Sequence, residues 1–141
     1  SPTLPMPREP LMPAISGLAV RLIRDGGAKD FTPYDLQTTF WACARLQWHD
    51  QPLFTALSSS SVAAMRKFPP QNLAGLAWAV AALKVDDPPL MKAISGASLE
   101  QLTEFTSRVL ASIAWAFAES RFRDVPLFQA LATEAVAEIA K

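Results

Sequence analysis

Three tryptophans recur at a fixed interval in this chain, and aromatic rings of this kind can stack on nucleic-acid bases. Trp41, Trp78 and Trp115 follow one another at intervals of 37 residues. Stacking on an exposed ring contributes about 1–3 kcal/mol per base. Burying a tryptophan between helices removes roughly 150–250 Å² from water and contributes up to about 6 kcal/mol. Because alanine follows each ring and lets helices approach closely, we favour packing between helices, with base stacking as the alternative.

Polar side chains on the same helix face as the tryptophans could form hydrogen bonds to a partner. At 100° per residue this face lies opposite the apolar stripe of each helix, and its residues differ from one tryptophan segment to the next. Modular RNA-binding proteins read bases with side chains that differ between repeats. Surface positions that bind nothing vary as well, so both explanations stay open. The candidate contact residues on this face are Tyr34, Thr38, Arg45, Gln71, Arg108 and Ser112.

A second group of candidate contacts consists of basic residues close to predicted helix ends. Cations near a helix C terminus interact favourably with the helix dipole whether or not a ligand is present. If these side chains converge in space, they could neutralise a few phosphates and give weak RNA binding that depends strongly on salt. The residues in this group are Arg66, Lys67, Lys84, Arg121 and Arg123.

Cys43 and His49 are the residues that could suggest nucleophilic or metal chemistry. Cys43 falls on the predicted apolar face of a helix, whereas His49 falls in the turn that follows, so the two side chains are expected to point apart. A single cysteine also excludes a disulfide within the chain and a metal cluster built on thiolates. We therefore predict no enzymatic activity, no catalytic residue, no metal site and no cofactor.

Apolar residues at helical spacing predict the elements that carry these side chains. Leu36, Phe40 and Cys43 follow the spacing of one helix face, and equivalent runs occur twice more. First helices are expected at about residues 33–47, 70–84 and 106–121. Second helices are expected at about residues 52–67, 88–104 and 126–140. The residues expected to cap helix N termini are Thr32, Asp50, Asp87 and Asp124.

The 37-residue interval extends from the tryptophans to phenylalanine, leucine, aspartate and proline positions. A period of 20 to 50 residues is typical of stacked repeats. We therefore predict an all-α fold, an α-solenoid of about three and a half antiparallel helical hairpins. The predicted organisation is a Pro-rich extended tail at 1–9, a partial repeat with a second helix and a loop at 10–30, and repeats at 31–67, 68–104 and 105–141.

The residues around each tryptophan resemble a known repeat. They read FWACARL from residue 40, AWAVAAL from residue 77 and IAWAFA from residue 113. This pattern is similar to the L-W-A-x-A-x-L helix of heptatricopeptide repeats, the 37-residue relatives of octotricopeptide repeats. The resemblance covers residues 31–141 and the partial repeat. It implies an organellar protein that binds RNA, with the mitochondrion favoured over the plastid.

Charge leaves the nature of the partner open between RNA and protein. The 13 Lys and Arg balance 13 Asp and Glu, so the chain exerts no bulk attraction on nucleic acid. One hypothesis is an RNA-binding or rRNA-contacting subunit of a ribonucleoprotein such as a mitochondrial ribosome. The alternative is a helical scaffold that contacts protein subunits of a large organellar complex. Because neither end of the array carries a polar cap, we expect either that the chain is part of something longer or that it docks into a larger assembly, and not a free monomer. We expect no membrane insertion.

Overall fold

The computed structural model describes residues 31–141 together with Gly17, Ala19 and Val20. Six α-helices joined by short turns make up residues 31–141. These residues include no β-strand, so the predicted all-α class is confirmed for them. None of their helices is long and apolar enough to cross a membrane. The helices are α1 (Pro33–Leu46), α2 (Gln51–Ala63), α3 (Pro70–Leu83), α4 (Pro88–Glu100), α5 (Ser107–Glu119) and α6 (Val125–Ile139).

The predictions for residues 1–30 fall almost wholly outside the described part of the chain. Gly17, Ala19 and Val20 are helical, as the predicted helix of the partial repeat requires, and Val20 belongs to the buried core. The predicted extended tail at 1–9 and the predicted loop of the partial repeat lie outside the described residues.

Side-chain caps fix where most of the helices begin. Thr32 and Asp35 form a capping box, in which the Asp35 amide donates to Thr32 Oγ1 at 3.1 Å and the Thr32 amide donates to Asp35 Oδ2 at 3.0 Å. Asp50, Asp87 and Asp124 each accept a bond from the amide three residues ahead, at 3.0–3.1 Å. The four predicted N-caps are therefore confirmed. Such caps satisfy amides that the first helical turn leaves unpaired.

Left-handed residues end the first and third helices. Gln47 and Lys84 have φ values of 54° and 57°. In both places the amide of the left-handed residue and the amide of the residue after it donate back to carbonyl oxygens of α1 or α3, in the pattern of a Schellman motif. These helices end one residue before the predicted positions 47 and 84. Helix α5 covers Ser107–Glu119 instead of the predicted 106–121, because Ser120 is extended and its side chain bonds to the turn.

The second helices are shorter than predicted. Helix α2 ends at Ala63 and α4 at Glu100, instead of at the predicted residues 67 and 104. A 3-10 turn follows each of them, at Met65–Lys67 and at Leu102–Glu104. The tighter turn redirects the chain toward the next first helix and brings the phenylalanine that follows it, at position 68 or 105, into the core.

The helices pack as two adjacent layers. Helix α3 lies between α1 and α5 and packs extensively against both, while α4 contacts α2 and α6. Each first helix also packs against the second helix that follows it. Four of the eight buried residues of α3 are alanines, which let the neighbouring helices approach closely. The hydrophobic interior therefore runs continuously through the described helices.

Polar contacts connect successive hairpins. The Ser58 hydroxyl donates to the Asp87 carboxylate, and the Ser95 hydroxyl donates in the same way to Asp124. Each aspartate thus caps its own helix with one oxygen and binds the preceding hairpin with the other. Helix geometry alone did not predict these contacts. The signal that could have found them is the equal separation of 29 residues between each serine and its aspartate.

Candidate functional site

The three recurring tryptophans lie on one side of the first-helix layer, which we call the tryptophan face. Trp41 and Trp115 expose 40% and 42% of their surface, and Trp78 is half-buried. The indoles of Trp78 and Trp115 stack between α3 and α5 with their centroids 6.2 Å apart. Packing between helices was therefore predicted correctly for this pair. The large exposed fraction of two rings was not, and it leaves aromatic surface available to a partner.

Arg45 extends the aromatic surface of Trp41. Its guanidinium carbon lies 5.1 Å from the centroid of the indole, which is a cation–π contact. At an exposed site such a contact contributes about 0.5–1 kcal/mol. The matching positions in the later helices are Ala82 and Glu119, so this arrangement is specific to α1. It combines a positive charge with a flat ring on the surface.

The other candidates on this face differ in exposure. Tyr34, Gln71 and Arg108 each occupy the second position of a first helix, and all three are exposed. Thr38 and Ser112 are half-buried, one turn further along their helices. Helix geometry places all of these residues on the same side as the tryptophans. The six predicted residues of this group therefore belong to one surface that spans three helices.

A polar bridge between α1 and α3 was not predicted. The Asn72 side-chain amide donates to Gln37 Oε1 at 2.9 Å. The Gln37 amide lies directly over Gly75, where an added Cβ would be 2.4 Å from Gln37 Nε2. Because Gly75 lacks a side chain, the amide can lie between the two helices. These residues add hydrogen-bonding groups close to the tryptophan face.

The predicted basic residues form two separate groups. Lys84 and Arg121 line one groove of about 430 Å³ at the turns α3–α4 and α5–α6, together with Asp86, Asp87 and Glu119. Arg121 and Arg123 line a neighbouring groove. Carboxylates in the first groove offset its positive charge. These turns therefore do not present an uninterrupted basic surface.

Arg66 and Lys67 make up the second basic group. Both are exposed in the 3-10 turn after α2. Because α2 runs back along α1, this turn lies at the opposite end of the hairpins from Lys84. The basic candidates are thus divided between the two ends, while the tryptophan face between them carries mainly aromatic and neutral polar groups.

Comparison with known proteins adds evidence that geometry cannot supply. The family described as RNA-editing substrate-binding complex 6 protein, RESC6, matches residues 8–141. The chain belongs to the RESC6 family. A search among curated proteins found no match. The RESC6 match includes all six described helices and every candidate contact residue.

Cys43 does not provide a nucleophile in this RESC6-family chain. Burial raises the pKa of its thiol to about 11, and the nearby Asp50 carboxylate adds to the effect. The thiol is therefore protonated at neutral pH. His49 is exposed, and its Nε2 lies 3.1 Å from the Leu83 carbonyl oxygen. The predicted placement of Cys43 in the core and of His49 in the turn is confirmed. Among the described residues no group of three His, Cys, Asp or Glu could hold a metal ion.

Proposed function

We propose that this RESC6-family chain is a non-catalytic subunit of an RNA-editing substrate-binding complex, and that it contacts single-stranded RNA with the tryptophan face. The observation that carries the proposal is the exposure of Trp41 and Trp115 on the side that also presents Tyr34 and Arg45. The family description supplies the class of assembly. Flat exposed rings with a guanidinium nearby suit unpaired bases, which have accessible faces in single strands.

The architecture we propose is an α-solenoid with a 37-residue period, made of heptatricopeptide-like hairpins at 31–67, 68–104 and 105–141 after a partial repeat. The equal spacing of the starts of α1, α3 and α5, at Pro33, Pro70 and Ser107, supports this arrangement. So does the position of α3 between α1 and α5. In a solenoid each hairpin adds a strip of surface to one continuous face, so a single RNA strand could pass across several helices.

Stacking would supply most of the affinity in this proposal, and hydrogen bonds would supply selectivity. One base on Trp41 and Arg45 and another on Trp115 would contribute about 1–3 kcal/mol each. Side chains that differ between the hairpins, such as Gln71 and Ser112, would contact base edges. The face has few cations, and Glu119 occupies the position that matches Arg45. Binding should therefore depend less on salt than binding by a basic protein does.

For location we propose an organelle, with the mitochondrion preferred over the plastid. The heptatricopeptide resemblance and the family's connection to RNA editing both support an organellar RNA-associated role. The family description favours an editing complex over the mitochondrial ribosome as the assembly that contains the chain. Contact with rRNA stays a secondary proposal.

The experiment is a binding titration of a fluorescent single-stranded oligonucleotide at low salt. Trp41→Ala and Arg45→Ala should each weaken binding, by between about fivefold and a hundredfold for the loss of one stacked base. Leu99→Ala is the matched control, because Leu99 is an exposed large apolar residue of α4 in the second-helix layer. If Trp41→Ala and Arg45→Ala bound the oligonucleotide as tightly as Leu99→Ala and the unaltered protein do, the tryptophan face would be ruled out as the RNA site. Absence of binding by the unaltered protein would rule it out as well.

A scaffold role is the second candidate, and one observation favours it. Helix α6 exposes Phe128, Val136 and Ile139, which suit a protein contact rather than an RNA contact. RNase treatment of the native complex separates the two roles. A chain held through RNA should be released by the nuclease, whereas a scaffold subunit should stay in the complex and bind no oligonucleotide in isolation.

A further inference from the structure

Two side-chain amides lie in the contact between α1 and α3, at positions that are apolar in the contact between α3 and α5. Asn72 donates to Gln37 Oε1, and the rest of the Gln37 amide lies over Gly75. One hairpin later, the positions of Gln37 and Asn72 are taken by Ala74 and Val109, which are buried. An alanine and a valine are thus sufficient where α3 packs against α5. Packing alone therefore does not require the two amides.

The bridge leaves part of each amide without a hydrogen-bond partner. Within the described part of the chain, Gln37 Nε2 and Asn72 Oδ1 bond to no other group. Neither atom belongs to the buried polar atoms without a partner, which in the same residues comprise Ser61 Oγ, so both atoms reach solvent. A ligand that displaces water from them can bond to both without breaking a contact of the protein.

Gln37 lies between two exposed aromatic rings of α1. Tyr34 precedes it by three residues and Trp41 follows it by four, which are the spacings of neighbours on a helix surface. Tyr34 exposes 65% of its surface and Trp41 exposes 40%. A base that stacks on Trp41 would therefore lie within one helical turn of the Gln37 amide.

The bond from Asn72 determines which end of the Gln37 amide is free. The amide oxygen faces Asn72, and the nitrogen, Nε2, lies over Gly75. Gly75 is on the side of α3 that carries Trp78, whereas Asn72 lies further around the helix, so the nitrogen is the group nearer the tryptophan face. An amide nitrogen donates hydrogen bonds and accepts none. Gln37 therefore offers a donor to a base on this face.

We propose that Gln37 sets a base preference of the tryptophan face, by donating to a base stacked on Trp41, and that it favours guanine and uracil over cytosine. This inference rests on the RNA contact proposed above. On the edge that faces the major groove of a duplex, guanine has only acceptors and uracil, like thymine, has a carbonyl oxygen, whereas cytosine has an amino donor and adenine has both kinds of group. Asn72 is a positioning residue, because it holds the Gln37 oxygen and leaves the nitrogen to the base.

Titrations with single-stranded oligo(U) and oligo(C) of equal length at low salt test the preference. The two bases have rings of the same size, so they differ mainly in the groups on their edges. The unaltered chain should bind oligo(U) about three- to tenfold more tightly, as expected for one hydrogen bond. Gln37→Glu should reverse this order, because a carboxylate still accepts the Asn72 bond but can only accept from a base, which suits cytosine. Gln37→Met, which has no amide, should bind both with equal affinity.

Asn72→Val tests the positioning role, since valine is the residue at the matching place in the α3–α5 contact. Without the bond from Asn72, Gln37 can turn either end of its amide to the base, so the preference for oligo(U) should fall toward equal affinities. A residue that served only in packing would leave the preference unchanged. Circular dichroism and thermal unfolding check that each variant folds.

Gln129→Glu is the matched control for the added charge, because Gln129 is exposed on α6 in the second-helix layer. It should leave the order of the two oligonucleotides unchanged. If the unaltered chain bound both equally while Trp41→Ala weakened both, the RNA contact would stand and this inference would be wrong. An order that Gln37→Glu leaves unchanged would also overturn it. Absence of binding by the unaltered chain would overturn the RNA contact, and this inference with it.

Discussion

The indole rings of Trp78 and Trp115 stack across the α3–α5 contact, with their centroids 6.2 Å apart and their planes 25° from parallel. Each ring thus covers one face of the other, while Trp115 still exposes 42% of its surface. The same residues can therefore stabilise the helix layer and present aromatic surface to a partner. Stability and binding have to be measured separately to distinguish these contributions.

Replacing both stacked rings should lower the unfolding free energy by an amount that differs from the sum of the two single losses. Trp78→Ala should destabilise the chain by roughly 2–3 kcal/mol, below the 3–5 kcal/mol of a fully buried tryptophan, because Trp78 is only half-buried. A double-mutant cycle with Trp115→Ala should give a coupling of about 0.5–1.5 kcal/mol. Urea unfolding supplies the free energies. Strictly additive losses would mean that the two rings do not interact in solution.

In a serine–aspartate contact, replacing the aspartate should lower the unfolding free energy more than replacing the serine. Asp124→Ala removes both the α6 cap and the acceptor of the Ser95 hydroxyl, so it should cost roughly 2–3 kcal/mol of unfolding free energy. Ser95→Ala removes only the contact between hairpins and should cost about 1 kcal/mol. Chemical denaturation of the two variants measures both losses. A loss for Ser95→Ala equal to that for Asp124→Ala would contradict this division.

Cys43 should make stability fall at alkaline pH. Burial and the Asp50 carboxylate raise the pKa of the folded thiol from 9.0 to about 11. Between these values the unfolded state loses its proton first, so the unfolding free energy should decrease as pH rises through this range. Cys43→Ala should remove that component of the pH dependence. Rapid alkylation of Cys43 in the folded protein at pH 8 would contradict the burial of the thiol.

The sequence predicted local features better than contacts between hairpins. The Thr32 and Asp124 caps depend on residues three positions apart, so local spacing was sufficient to find them. The contact of Ser95 with Asp124 joins different hairpins, and its prediction needs the packing of α4 on α6. The 3-10 turns after α2 and α4 were missed for a similar reason, since the path to the next helix interrupts a regular apolar pattern.

The candidate site was predicted in part. Helix spacing placed Arg45 on the side of Trp41, where the two side chains are in contact, because side-chain direction follows from the helix alone. The exposed fraction of each tryptophan depends on how far apart neighbouring helices lie, which the spacing does not contain. The bridge from Gln37 to Asn72 likewise depends on the space above Gly75.

Gly75→Ala tests that bridge through two opposing effects. Alanine in the middle of α3 should stabilise the helix by up to about 1 kcal/mol relative to glycine. Its Cβ would meet the flexible end of the Gln37 side chain, so the bond to Asn72 would be lost at a cost of about 0.5–1.5 kcal/mol. We expect a net change close to zero in thermal unfolding. With Gln37→Ala also present, Gly75→Ala should become stabilising, and a large loss in that background would contradict the assigned contact.

The central claim is that the tryptophan face contacts RNA, and ultraviolet cross-linking of the native complex tests it most directly. Mass spectrometry of the RNA-attached peptides should find them in α1, α3 and α5, including the segments that contain Trp41 and Trp115. Trp41→Ala should reduce the α1 cross-link, whereas Leu99→Ala should leave it unchanged. Cross-links confined to the second helices, or none at all in a complex that survives RNase, would contradict the claim.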